Sequence, residues 1–393
     1  MSFSTKFRRN VKPLIIMNSI FTTGLVEYFV DDKISKIGTT YACFSIVLYF
    51  SLIHLFSLPT TTFKENQPFI TILTYQIYVY IDYSFHVVTI IFGLLRRKKV
   101  RSFTSQLETC IQTMDQLNIP MNLSTCFWQQ YYPVLSFIFI IISMISSDYL
   151  WLKLLKFSYL YIFFFFYLER YPFMVLLVVD ITFVYWMRQI KFGQLNELLK
   201  GMLTTTIHSP QHKRVLCMRN RMSDSPSSGI HRTDKSNEDL IKIRKAKEIH
   251  LELIKCARNI NDAYGLHILF SITTAFILII TTAYDFYCHF LIKYYYPRLF
   301  LYITNLYWIS YLGFKIIFVS HACTETVTEI RDFTLQVIQN PLSFTTCGLF
   351  DLDYTLIRGV IGTVITYFVI LIQVGNVSMQ TFVENSTFTT NDL

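Results

Sequence analysis

Thr366 and Tyr367 stand before five apolar residues, Phe368 to Ile372, and Gln373 closes the interval. A primary amide set deep in a stretch that otherwise suits hydrocarbon is costly unless it faces protein or water. Its position points to a polar interior, such as a pore, more than to a plain membrane anchor. Gly359, Thr363, Thr366, Ile370 and Gln373 recur at steps of four and three residues, so they share one helical face. That face is small and polar, whereas Val360, Ile361, Val364, Ile365, Phe368 and Leu371 cover much of the rest. Several such faces around an axis would make a conduit lined by hydroxyls, with an apolar ring at Ile370 and an amide ring near one mouth. An apolar ring gates by dewetting, and neutral amides discriminate only weakly among cations. A helix–helix interface uses the same residue types, so the helix alone leaves both readings open.

A second set of residues suits recognition of a small molecule. Glu169 and Arg170 are adjacent charges inside an apolar run and must be compensated there. Neighbours on a helix point about 100° apart, so each is expected to pair with another helix, and Asp285 is the candidate partner of Arg170. Tyr75, Tyr167, Tyr284, Asn305, Tyr307 and Trp308 add aromatic, hydroxyl and amide groups to the same halves of their spans. An apolar, aromatic pocket with a few convergent polar groups is the usual small-molecule site. Residues of this kind also populate the interfacial aromatic belt. His54, His86 and His321 are isolated and read as hydrogen-bonded packing residues. No metal-ligand spacing, phosphate loop, nucleophile elbow or paired carboxylates appear, so no cofactor, no metal and no enzymatic activity are expected.

Composition explains what must hold these groups. Of 393 residues 52% are hydrophobic and 16% charged, where a soluble domain carries about 25% charged residues. Seven stretches approach the length of about 20 residues that crosses a bilayer: 38–58, 69–95, 128–148, 158–186, 266–290, 299–320 and 354–375. They are continuously apolar, which excludes the alternation of a membrane barrel. Residues 13–30 contain Asn18 and Glu27 and no small-residue cleavage site, so they read as a short helix or re-entrant segment and not a signal peptide.

Lys and Arg number 27 in the connections on the N-terminal side of the membrane and 5 on the other. That asymmetry places the N terminus in the cytoplasm and, after seven crossings, the C terminus outside. Asn385-Ser386-Thr387 in the outer tail is then a glycosylation candidate at Asn385. A G-protein-coupled receptor has the opposite orientation, and this chain lacks that class's Asp-Arg-Tyr-like and Asn-Pro-x-x-Tyr motifs. A secondary transporter would show internal repeats with broken helices, which are missing here. The run Arg96 to Arg101 directly follows a span and reads as a lipid-contacting stop signal, so no nucleic acid is implied. Seven of the eight cysteines fall on or near the reducing side, which rules out a disulfide framework.

The expected organisation is an all-α membrane protein. It has a cytoplasmic N-terminal segment with a short helix (1–37), spans one to four (38–186) and a cytoplasmic loop with helical extensions and a disordered centre (187–265, centre 207–238). Spans five and six (266–320), a cytoplasmic lead-in (321–353), the last span (354–375) and an external tail (376–393) complete it. Leu240, Ile243, Ile249, Leu253, Cys256, Ile260 and Tyr264 form a stripe at helical spacing before span five. Such a stripe needs a partner, either the chain's own helices or another subunit, and a layer holding subunits together is expected.

Residues 321–393 resemble the C-terminal third of an insect gustatory receptor. His321-Ala322-Cys323-Thr324, Phe344 to Asp353, and Thr366-Tyr367 with Gln373 carry the likeness, with Val374 where the family usually has Phe. The resemblance implies a ligand-gated, non-selective cation channel, a homo- or heterotetramer with other gustatory receptors, in the plasma membrane of a chemosensory neuron. It places Gly359, Thr363, Thr366, Tyr367, Ile370, Gln373 and Val374 at the pore. Sugar-receptor members tend to carry an acidic residue directly after the Thr-Tyr pair, where this chain has Phe368. A bitter or plant secondary compound is therefore the expected tastant, ahead of a fructose-type sugar. Odorant receptors share the inverted topology and differ around the last span. The charge asymmetry makes a direct prediction: an epitope tag after Leu393 is stained on intact cells, and staining that requires permeabilisation overturns the seven-span reading.

Overall fold

In hydrocarbon every backbone N–H and C=O must find its partner inside its own segment, so long apolar runs become helices. The computed structural model describes residues 3–21, 23, 32–56, 69–116, 123–154, 159, 162–163, 166–190, 230–291, 298–337 and 342–390. Among them the helices are α1 (Phe3–Ile20), α2 (Asp32–Phe56), α3 (Phe69–Gln116), α4 (Leu123–Leu154), α5 (Tyr171–Gln189), α6 (Ile230–Leu291), α7 (Arg298–Val337) and α8 (Tyr354–Thr390). Each of the seven expected spans falls, wholly or in large part, on a helix. Among the described residues five helical stretches are long and apolar enough to cross a membrane, 131–150, 166–189, 244–287, 302–331 and 354–374, and Gly38–His54 is a shorter apolar one. The expected disordered centre is helical from Ile230 onward, and its earlier part, 207–229, lies outside the described residues. The expected short N-terminal helix starts at Phe3, well before residue 13.

Pro172 explains the break before α5. Its ring has no N–H and would collide with the preceding turn of a continuous helix. A π-turn over Phe166–Arg170 ends there, with Pro172 in the first turn of α5. The Tyr49 hydroxyl donates to the Leu168 carbonyl at 2.8 Å, an acceptor for which Pro172, four residues on, has no N–H. α5 is the innermost helix, buried along 83% of its apolar window.

The main core lies where α3, α5, α6 and α7 meet. Phe103, Leu107 and Ile111 of α3 meet Trp186 of α5, Leu253, Cys256 and Ile260 of α6, and Cys323 of α7. Phe103 and Trp186 pack edge to face at 5.2 Å. Each such side chain, once removed from water, contributes roughly 1.5–3 kcal/mol. Ile249 to Tyr264 are therefore covered by the chain's own helices, and Asn259 donates to Gln106 Oε1 at 2.8 Å across the α3–α6 seam. Of the two partners that the stripe could take, the chain's own helices cover Ile249 to Tyr264; the side chains of Leu240 and Ile243 lie outside the described residues.

α1 docks on the same core through Asn18, the residue that argued against a signal peptide. Its amide donates to Thr182 Oγ1 at 2.8 Å and to the Leu14 carbonyl at 2.9 Å, and accepts from Thr23 Oγ1 at 2.8 Å. The Thr23 carbonyl accepts from Arg96 and sits over Gly93, where an added Cβ would come within 2.7 Å of that oxygen. Gly93→Ala should therefore cost about 1–3 kcal/mol through forced backbone displacement. Gly313, with nothing within 4 Å of a built Cβ, is the control. Thermal unfolding of purified protein should show a clear drop for Gly93→Ala and none for Gly313→Ala.

Candidate functional site

The π-turn before α5 presents side chains to two different clusters. On one side Arg170 Nε donates to Asp148 Oδ2 at 2.5 Å, and its second contact reaches Oδ1 at 3.4 Å. The Arg170 guanidinium also lies 4.6 Å over the Trp308 ring, a stacking that a planar, weakly hydrated cation favours. Trp308 meets Phe173 at 5.8 Å and Tyr311 at 5.9 Å. Tyr307 stacks on Tyr311, and its hydroxyl shares a 2.8 Å hydrogen bond with Ser143. Three expected pocket residues, Arg170, Tyr307 and Trp308, thus come together from α5's entry and α7. The carboxylate set against Arg170 is Asp148 of α4, a correction to the expected Asp285. Asp148 could have been found by treating every carboxylate near a span end as a partner for an intramembrane cation.

On the other side Tyr167 stacks on Tyr171 at 5.5 Å and approaches Tyr49 at 6.4 Å. His86 is wholly buried among these rings, 4.2 Å from Tyr49 and 5.3 Å from Tyr171. Neither of its ring nitrogens has a hydrogen-bond partner, so it packs as expected but without the expected bond. Glu169 is half-buried in the same π-turn.

The other expected pocket residues lie elsewhere. Tyr284 is buried with Tyr287 and Leu371 on the α6–α8 seam, and Tyr287 meets Phe368 edge-on at 6.3 Å. Asp285 is half-buried on α6, and Asn305 on α7 is half-buried with its Nδ2 unbonded. The side chain of Tyr75 lies outside the described residues, as does that of Asn385.

α8 carries the polar stripe. Leu356, Val360 and Val364 pack against Phe173, Ala275, Leu278 and Ile316. Gly359, Thr363, Thr366, Ile370 and Gln373 are exposed on a different face, together with Tyr367 and Val374. Thr363 donates to the Gly359 carbonyl at 2.7 Å and Thr366 to that of Gly362 at 2.9 Å, so both hydroxyls are satisfied within the helix. An added Cβ at Gly359 or Gly362 meets nothing within 4 Å. Not one residue in the apolar window of α8 is buried in the protomer.

The segment Phe344 to Asp353 sets the start of that helix. It is a tight hairpin, closed by Leu349 N–H to Thr346 O at 3.0 Å and Leu352 N–H to Phe344 O at 2.8 Å. Cys347 and Gly348 both have positive φ, 53° and 75°, the combination a type I′ turn requires. Asp353 then caps α8, accepting from the Thr355 N–H at 2.8 Å and from the Thr355 hydroxyl. The Thr355 hydroxyl bond holds this carboxyl below its ordinary range. The cap is thus charged at neutral pH, and the stability it lends is lost only as pH falls through that lowered value. His321 Nδ1 and the Tyr354 hydroxyl share a 2.7 Å hydrogen bond that ties α7 to the first turn of α8.

Sequence reasoning missed a second buried ion pair. Lys315 Nζ of α7 lies 2.9 Å from Asp180 Oδ2 of α5, which also accepts from the Ser271 hydroxyl of α6 at 2.7 Å. Asp180 interrupts a nearly continuous apolar run, and that interruption was the available signal. No cluster of metal-binding side chains occurs among the described residues.

A family model described as 7tm Chemosensory receptor matches residues 23–332 and 312–375. Among solved structures, the insect olfactory receptor OR5 from Machilis hrabei aligns with a TM-score of 0.60 at 14% identity, over 95% of this chain and 100% of that one. The same receptor in complex with eugenol aligns with a TM-score of 0.47 at 14% identity over the same shares. At that identity the first likeness establishes the fold. None of the curated proteins compared matches the chain.

Leaving one buried charge unpaired costs about 3–5 kcal/mol, whereas removing both partners is far milder. Asp180→Leu should therefore strip the protein of folded yield, measured by size-exclusion of the detergent extract. The double variant Asp180→Leu/Lys315→Met should recover most of it.

Proposed function

The chain belongs to the 7tm chemosensory receptor family, and from that premise we propose that it is a gustatory receptor acting as a ligand-gated, non-selective cation channel. The family is one of receptors and not of enzymes, and the helices are those of a multi-pass membrane protein. The observation that carries the proposal is α8. An apolar helix with a small, polar stripe and no buried residue in its own protomer is incomplete as a monomer. Four copies turned about one axis would bring Gly359, Thr363, Thr366, Ile370 and Gln373 to a common lumen, with Tyr367 and Val374 at its flanks, and would place the remaining faces against protein or lipid. Homo- and heterotetramers with other gustatory receptors satisfy this requirement equally.

The ligand is read as an apolar or alkaloid-like bitter compound. Arg170, Tyr307 and Trp308 offer a cation, a hydroxyl and an indole face within one cluster, while Glu169 and Tyr167 share the π-turn with Arg170, Asn305 stands on α7, and Tyr284 and Asp285 stand on α6. A polyol would need many more donors and acceptors than this cluster presents. Phe368, where sugar receptors carry an acid, supports the same choice over a fructose-type receptor. The protein is placed in the plasma membrane of a chemosensory neuron, N terminus inside.

Whole-cell recording with panels of alkaloids, sugars and volatile aromatics tests the reading. Alkaloids should evoke a cation current reversing near 0 mV; a response confined to volatile aromatics would make it an odorant-type channel. Gln373→Glu should raise the permeability to calcium relative to sodium several-fold, because a ring of carboxylates selects divalent cations where a ring of amides does not. An unchanged ratio in a surface-expressed variant would remove Gln373 from the pore.

A further inference from the structure

A groove of about 210 Å³ lies between α4, α5 and α7, walled by Pro133, Ser136, Ile181, Val184, Arg188 and Phe318. It belongs to neither cluster at the π-turn. Ser136 turns its hydroxyl back to the Pro133 carbonyl at 2.9 Å, and Tyr132, Tyr185 and Gln189 complete a lining that is mostly apolar. The outer wall opens on a band of α4 in which Leu135, Phe139 and Ile142 are exposed, and such a band suits hydrocarbon. Tyr131 and Tyr132, exposed at one end of that band, mark the level of the membrane–water interface.

Arg188 stands at the same level, in the last turn of α5. Its guanidinium lies 5.2 Å over the Phe318 ring at the mouth of the groove, and no carboxylate among the described residues pairs with it. From Arg188 to Ile181 the groove runs about 10 Å along the helix axis. An occupant must therefore combine an anionic head at the interface with a narrow apolar tail reaching inward. The charge asymmetry puts this end of α5 in the cytoplasmic leaflet, where acidic lipids are enriched.

We propose that the groove between α4, α5 and α7 binds an acidic phospholipid of the cytoplasmic leaflet, its phosphate on Arg188 and one acyl chain along Ile181 and Phe318. The leaflet assignment rests on the N-inside reading; the binding itself does not depend on channel activity. A lipid wedged there contacts the helices that carry both halves of the Asp180–Lys315 pair, so its occupancy bears on the same packing.

Native mass spectrometry of the full chain in detergent tests this with phosphatidylserine and phosphatidylcholine of equal chain length. Wild type should retain phosphatidylserine about fivefold more than phosphatidylcholine, the ratio expected for one interfacial cation. Arg188→Gln, at an exposed site, should bring the two to parity. Lys98→Gln, which removes a cation outside the groove, should leave the preference intact, and Ser136→Phe should reduce retention of both lipids. Equal retention by wild type, a preference surviving Arg188→Gln, or an equal loss in Lys98→Gln would each overturn the proposal. A receptor that retains the lipid yet passes no agonist-evoked current would refute the channel reading alone.

Discussion

Three helices of this protein are bound at one point inside the bundle, where Asp180 of α5, Lys315 of α7 and Ser271 of α6 meet. Both charged side chains are buried among apolar helices there, so neither has a ready alternative partner when the helices slide. The pair adds little net stability over an apolar replacement of similar volume. What it imposes is register: a shift of one helical turn would leave two unpaired charges in apolar surroundings. The aromatic clusters above it, and the core below it, are arranged around helices whose heights are set in this way.

α5 is the central element because its sequence is apolar on every face, and a helix of that kind is buried on every face. Pro172 forces the π-turn at its entry, and the turn sends Arg170 and Tyr167 to different neighbours. Arg170 finds Asp148 and Trp308, whereas Tyr167 joins Tyr49, Tyr171 and His86. Pro172 has no N–H to give the Leu168 carbonyl four residues before it, and the Tyr49 hydroxyl supplies the missing donor. Strained or widened turns of this kind recur at functional sites, since they aim side chains that a regular helix could not.

α8 shows the opposite economy. It is held at its first turn by the Phe344–Asp353 hairpin, the Asp353 cap and the His321–Tyr354 bond, and along one face by Leu356, Val360 and Val364. Further along, Leu371 and Phe368 touch Tyr284 and Tyr287 of α6, while the stripe from Gly359 to Gln373 stays exposed. Three local features fix the start of α8: a type I′ turn at Cys347-Gly348, the Asp353 capping carboxylate and the interhelical hydrogen bond from His321.

The class of fold was legible in the sequence because it follows from local quantities. Apolar run length specifies spans, helical periodicity groups Gly359 to Gln373 on one face, and the stripe Ile249 to Tyr264 announces a buried contact. Intramembrane charges were legible as problems requiring partners. The identity of those partners was not: Arg170 pairs with Asp148 and not with the expected Asp285, and Asp180 with Lys315, because pairing depends on the heights and rotations of separate helices. Likewise the stripe before span five could have faced another subunit, and only the packing of α3 against α6 turned it inward. Residue type states that a charge or an apolar face must be compensated; the three-dimensional arrangement alone decides which neighbour comes within hydrogen-bonding or van der Waals distance to do so.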